Sequence, residues 1–132
     1  MGNFNSLEEA REFFYKDKFA TGTGITLDKI TDDEAVCSLK IDDEHRNAYG
    51  GVMGGVIFTL ADFAFAVMSN QIHQLTVAQQ VSINYLSAPK GEVLTATARC
   101  KKTGRTSSII NIDVVDDTGR DIAQFIGTGF KL

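Results

Sequence analysis

The sequence predicts an α+β domain in which a long antiparallel sheet wraps one central buried helix, and three observations carry that prediction. Residues 54–70 are apolar on nearly every side at helical spacing, and a helix that is hydrophobic all round is a buried one. Four later segments, residues 76–86, 92–101, 107–115 and 121–130, have the composition and alternation of strands. Within the second of these, Leu94, Ala96, Ala98 and Cys100 fall on one face and Val93, Thr95, Thr97 and Arg99 on the other, the mark of a sheet covered on one side. The helix supplies the cover.

In chain order, Ser6-Leu7-Glu8-Glu9 fits a capping box, with Ser6 as N-cap and Glu9 three positions on. It opens a helix whose apolar side carries Leu7, Ala10, Phe13 and Phe14, predicted to end near Ala20, before the glycines. Residues 24–30 and 34–41 alternate as strands, and Thr31-Asp32-Asp33 between them makes an antiparallel pair. Lys102-Thr103-Gly104-Arg105 and Asp117-Thr118-Gly119-Arg120 read as hairpin turns, and Pro89 falls between strands, where its missing N–H costs nothing. No repeat, low-complexity tract or linker interrupts the chain, so residues 1–132 read as one domain.

With 132 residues, 43% of them hydrophobic, a core can form without metals or cross-links. Net charge is −4 and the 13 Lys and Arg are scattered, which argues against nucleic acid but leaves room for one anionic ligand. Cys37 and Cys100 stand far apart, without CxxC or metal-ligand spacing, and are expected to be reduced core thiols of a cytoplasmic protein. No basic segment followed by an apolar one opens the chain. The longest apolar run, residues 56–68, contains Asp62 and falls short of the ~20 residues a bilayer requires, so a soluble, unprocessed protein is expected.

Asp62 is the one charged residue in the central helix. A carboxylate there costs several kcal/mol unless it is paired, hydrogen-bonded or used. It either bonds backbone or hydroxyl groups across a subunit contact or performs chemistry. Gly50, Gly51, Gly54 and Gly55 crowd the entry to the same helix, whose first turn offers unpaired N–H groups and the positive end of the dipole. Such an entry can hold a carbonyl oxygen as it becomes negative in acyl transfer, with Gly54 and Gly55 as donors. His45 and His73 each stand among polar neighbours without a Ser or Cys at nucleophile spacing and read as surface residues.

Asn47-x-x-Gly50-x-x-Met53-Gly54-Gly55, followed by Leu60-Ala61-Asp62, resembles the signature of hotdog-fold thioesterases of the phenylacetate-degradation (PaaI-like) type. Val81-Ser82-Ile83-Asn84-Tyr85-Leu86 with Pro89 and Gly91-Glu92-Val93-Leu94 is similar to the family's strand after the central helix, and Gly104-Arg105-Thr106 to its next turn. The resemblance implies a hotdog fold and hydrolysis of a hydrophobic or aryl acyl-CoA to free acid and CoA, without a metal or a cofactor beyond the CoA of the substrate. It implies Asp62 as general base or nucleophile, Asn47 positioning water or substrate, and the Gly54 and Gly55 amides polarising the carbonyl. It implies substrate or CoA contacts from Met53, Gln79, Gln80, Tyr85, Arg105 and Thr106. Lys101, Lys102 and Arg105 flank the turn where nucleotide phosphates would lie. Phe58, Phe63 and Phe65 are core residues, one or two of them candidates for an acyl pocket.

Two residues depart from the family pattern. Met53 stands where the family usually has His, and Ala78 where many members carry a Ser or Thr hydroxyl that Gln79 or Gln80 would have to replace. The rival reading is therefore a catalytically weak acyl-CoA binding protein on the same scaffold. A dehydratase or hydratase is disfavoured, because no His lies at the helix entry. Assembly is expected as a homodimer through paired sheets, further paired into a homotetramer, with no nucleic-acid or membrane partner.

Overall fold

The computed structural model describes residues 2–132. Two short helices, α1 (Leu7–Phe14) and α2 (Lys18–Gly22), precede strands β1 (Thr26–Ile30) and β2 (Glu34–Lys40). A 3-10 turn at Asp43–His45 leads to α3 (Gly54–Ile72), and four strands follow: β3 (Thr76–Tyr85), β4 (Val93–Thr103), β5 (Ser107–Asp116) and β6 (Asp121–Lys131). The strands form one antiparallel sheet in the order β1-β2-β4-β5-β6-β3.

The sheet curls around α3 as expected. Leu94, Ala96 and Ala98 of β4, Ile110 and Ile112 of β5, and Ile122 and Phe125 of β6 are fully buried against Leu60, Ala61, Ala64, Val67 and Met68 of α3. Each large side chain so enclosed stabilises the fold by about 1.5–3 kcal/mol. Gly127 is required by this packing, since a Cβ there would sit 2.6 Å from the Phe65 ring. At its C-terminal end α3 is tied to β3 by Asn70, whose Oδ1 accepts from Thr76 N at 2.9 Å.

Two sequence expectations need correction. The first helix stops at Phe14, not near Ala20. Positions three and four beyond the buried Phe14 are Asp17 and Lys18, so a continuing helix would carry charges onto the buried face. Instead Lys16 N and Asp17 N bond back to the Phe13 and Phe14 carbonyls in a tight turn, and α2 restarts so that Ala20 is buried. The second correction concerns the apolar run. α3 has 19 residues and by length and composition could cross a bilayer, yet most of it is buried inside the protein.

A helix stripe and a sheet edge are among the surfaces left uncovered. On α3 the stripe Gly55, Thr59, Asp62 and Ala66, spaced four, three and four residues apart, is open or only half-buried. β3 ends the sheet with one unpaired edge, and most of its residues are exposed.

Candidate active site

The loop before α3 is built by Asn47 and His45. Asn47 N donates to Gly51 O at 2.7 Å, and its Oδ1 accepts from Tyr49 N at 2.9 Å and Gly51 N at 3.1 Å. Gly50 turns the loop with φ +85°, a conformation that favours glycine. The Asn47 oxygen is thus used by the loop, while its Nδ2 has no partner among the described residues and remains a free donor.

His45 is not the surface residue that its polar neighbours suggest: it is 1% exposed. Its Nδ1 accepts from Asp42 N at 3.0 Å, which places the proton on Nε2, 2.8 Å from Thr23 O. Its carbonyl accepts from Met53 N at 2.9 Å and so fixes the first residue of the helix entry. His73, by contrast, lies at the surface and contacts Gly104 O at 2.7 Å.

Met53 is the N-cap of α3, extended and without a side-chain cap bond. Its carbonyl accepts from Val56 N at 3.1 Å and Ile57 N at 3.4 Å, whereas the Gly54 and Gly55 amides have no acceptor among the described residues. Two free N–H groups at the positive end of a helix are ready to receive an oxygen that gains charge. Tyr85 Oη donates to Gly54 O at 3.1 Å and packs its ring where a Gly54 Cβ would lie, while Gly55 faces open space.

Asn47, Gly54 and Tyr85 line one groove of about 420 Å³ with the loop at residues 86–89. That loop is held by Asp116, which sequence reasoning missed. Its Oδ2 accepts from Lys90 N at 2.8 Å and Gly91 N at 2.9 Å, and its Oδ1 from the Thr118 hydroxyl at 2.6 Å and Arg120 N at 3.1 Å. The Thr118 hydroxyl foremost, then these backbone N–H groups, hold the carboxyl well below the usual range. The signal was present: Asp116 shares the inward parity of Ser108, Ile110, Ile112 and Val114 on β5.

Asp62 lies elsewhere. It lines a separate cavity of about 300 Å³ with Asp17, Lys18, Thr59, Phe63 and Ala66. Burial pushes its carboxyl up, and the charge of Asp17 adds to the effect. No hydrogen bond or ion pair to Asp62 occurs among the described residues. Eight residues separate it from Gly54, or ~12 Å along the axis at ~1.5 Å per residue. One chain therefore does not bring Asp62 to Gly54 and Asn47.

The remaining candidates are dispersed. Gln79 and Gln80 sit at a bulge on the exposed edge strand, with Gln80 Nε2 donating to Val81 O at 3.2 Å, and the Thr59 hydroxyl that lines the Asp62 cavity donates to Gly55 O at 2.7 Å. Met53 is 45% exposed. Arg105 and Thr106 are exposed in the β4–β5 turn, near the C-terminal end of α3, as the His73 contact to Gly104 shows. Phe63 and Phe65 are buried and Phe58 half-buried, the last edge-on to Phe125 at 5.4 Å. Among the described residues no cluster of three or more His, Cys, Asp or Glu could hold a metal ion.

Residues 49–123 match the model of the thioesterase superfamily. A putative esterase of Archaeoglobus fulgidus is 31% identical over 96% of this chain and 83% of its own. The acyl-coenzyme A thioesterase PaaI of Escherichia coli is 27% identical over 95% of this chain and 90% of its own length. The solved structure of E. coli PaaI superposes with a TM-score of 0.88, covering 96% of this chain and 93% of that one at 26% identity. A hypothetical thioesterase from Streptococcus pneumoniae, solved with coenzyme A, gives 0.81 at 29% identity, covering 89% of this chain and 94% of that one. Sheet, central helix and sequence agree, and the chain belongs to the thioesterase superfamily, as a hotdog-fold member of the PaaI-like type.

Proposed function

We propose that this chain hydrolyses the thioester of a hydrophobic or aryl acyl-CoA to free acid and CoA, in a site completed by a second copy of the chain. The carrying observation is the pair of unpartnered Gly54 and Gly55 amides at an uncapped helix N-terminus, with Gly54 in one groove with Asn47. In the reaction, water forms the new C–O bond and gives its proton to Asp62, while the helix-end amides take the charge that develops on the thioester oxygen. Collapse breaks the C–S bond and the proton passes from Asp62 to the CoA sulfur. A carboxyl raised by burial suits a base better than an ordinary aspartate does, which favours this role over direct attack.

Beyond Phe63, which also lines the Asp62 cavity, an apolar cavity of about 270 Å³ lies between α1, α2 and β1, lined by Phe14, Ile25 and Leu27. An engineered cavity of about 150 Å³ accommodates benzene, so this one has room for a substituted ring or a medium chain. Two α3 helices set antiparallel about a two-fold axis bring Asp62 of one copy to Gly54 and Asn47 of the other. The open β3 edges then pair, and Arg105, near the far end of α3, comes toward the other copy's helix entry, within reach of the nucleotide. Pairs of such dimers make the tetramer. The free thiols Cys37 and Cys100 suit a reducing, cytoplasmic location.

The binding-protein alternative rests on Met53, which supplies no cap bond, and on Ala78, which supplies no hydroxyl. A thiol-release screen over short, medium, long and aryl acyl-CoAs separates the two. Wild-type protein is expected to turn over, and Asp62→Asn to lose at least about 100-fold in kcat while retaining CoA binding by calorimetry. Near-wild-type turnover in the variant contradicts the role of Asp62; binding without thiol release in the wild type favours the alternative.

A further inference from the structure

Asp17 occupies the N-cap position of α2, where an aspartate ordinarily accepts from the backbone N–H groups of the first turn, yet its side chain makes no cap bond. It lines the cavity that Asp62 lines. Neither carboxylate has a hydrogen bond or ion pair among the described residues. The one cation that lines the cavity among the described residues is Lys18, and its ammonium sits over the Tyr15 ring, 3.7 Å from the centroid. Among the described residues no other titratable side chain lines the cavity from α2, α3 or the sheet.

Two carboxylates that line one cavity, the exposed Asp17 and the half-buried Asp62, disfavour one another's ionisation and titrate as a pair. We propose that Asp17 is a positioning residue for hydrolysis: its carboxylate, lining the same cavity, disfavours the ionised form of Asp62 and thereby makes Asp62 the stronger base toward the attacking water. The proposal rests on the reading of Asp62 as general base. Burial pushes both carboxyls up, and the charge of Asp17 raises Asp62 further. The proton count closes. The resting pair is ionised, Asp62 gains one proton from water as the C–O bond forms, and it returns that proton to the CoA sulfur as the C–S bond breaks.

Asp17→Asn keeps the shape and removes the charge. The acid limb of its kcat/KM profile is expected to move down by about one pH unit, and Asp17→Glu is expected to return the limb toward its wild-type position. A loss of activity with the limb unmoved would overturn the proposal, since that is what a merely structural role produces. Carbon-13 NMR of the aspartate carboxyls in the folded wild-type protein gives a readout independent of turnover. The Asp62 signal should titrate in two steps that the Asp17 signal mirrors, and two independent single steps would overturn the coupling. If Asp62→Asn hydrolyses normally while the titrations are coupled, it is the base assignment that fails, so the two failures are distinguishable.

Discussion

Asp62 loses hydration on folding without gaining a partner within its chain, so its ionised form is less favoured in the folded protein than in the unfolded one. A group whose folded carboxyl is raised contributes stability at low pH that is lost as pH climbs through the folded value. Asp62→Asn removes that loss. Its Tm should exceed wild type at pH 7, and the gap should shrink as pH falls through the carboxylate range; a gap independent of pH would contradict the burial of an unpaired carboxyl. Asn47 divides its two functions between two atoms. Asn47→Asp keeps the acceptor for Tyr49 N and Gly51 N but removes the free Nδ2 donor, so kcat should fall at least about tenfold with Tm unchanged. Asn47→Ala should lower both. Equal Tm in the two variants would show that the loop does not depend on the oxygen. Asp62 and the glycines were legible because polarity and missing side chains stand out in an apolar helix. His45 was not, because its burial comes from Thr23, 22 residues away in sequence, while its near neighbours are charged.

At the scale of elements, period and turn chemistry located every strand to within two residues, helped by the buried face that β2, β4, β5 and β6 each carry. The break between α1 and α2 was hidden, because capping and helical spacing are local signals and the choice to stop at Phe14 is made by what that ring packs against, Phe4 and Phe63. Asp17 was overlooked for the same reason: it lay inside an expected helix instead of at a turn that aims it toward α3. The entry of α3 offers a paired test. A Gly55 Cβ would meet nothing within 4 Å, so Gly55→Ala should raise stability by about 0.5–1 kcal/mol through backbone entropy. A Gly54 Cβ would meet the Tyr85 ring at 3.3 Å, so Gly54→Ala should give no such gain. Chemical denaturation checks both, and matching responses would contradict the Tyr85 packing.

For the whole molecule, the separation of Asp62 from the helix entry is the fact that organises the rest. Along α3 the two lie ~12 Å apart, too far for one thioester to touch both. The uncovered stripe of α3 and the unpaired edge of β3 mark the surfaces on which a second copy would complete the site. Little of this was visible residue by residue, but the spacing of Gly54 and Asp62 in a single helix already required it. The decisive measurement uses a heterodimer of an Asn47→Asp chain and an Asp62→Asn chain, co-expressed with two affinity tags and purified as the doubly tagged species. One of its two composite sites collects both substitutions and the other collects neither, so thiol release should recover to about half of the wild-type rate per dimer, although each parent homodimer is poor. Activity no higher than the average of the two parents would mean that each chain builds its site alone.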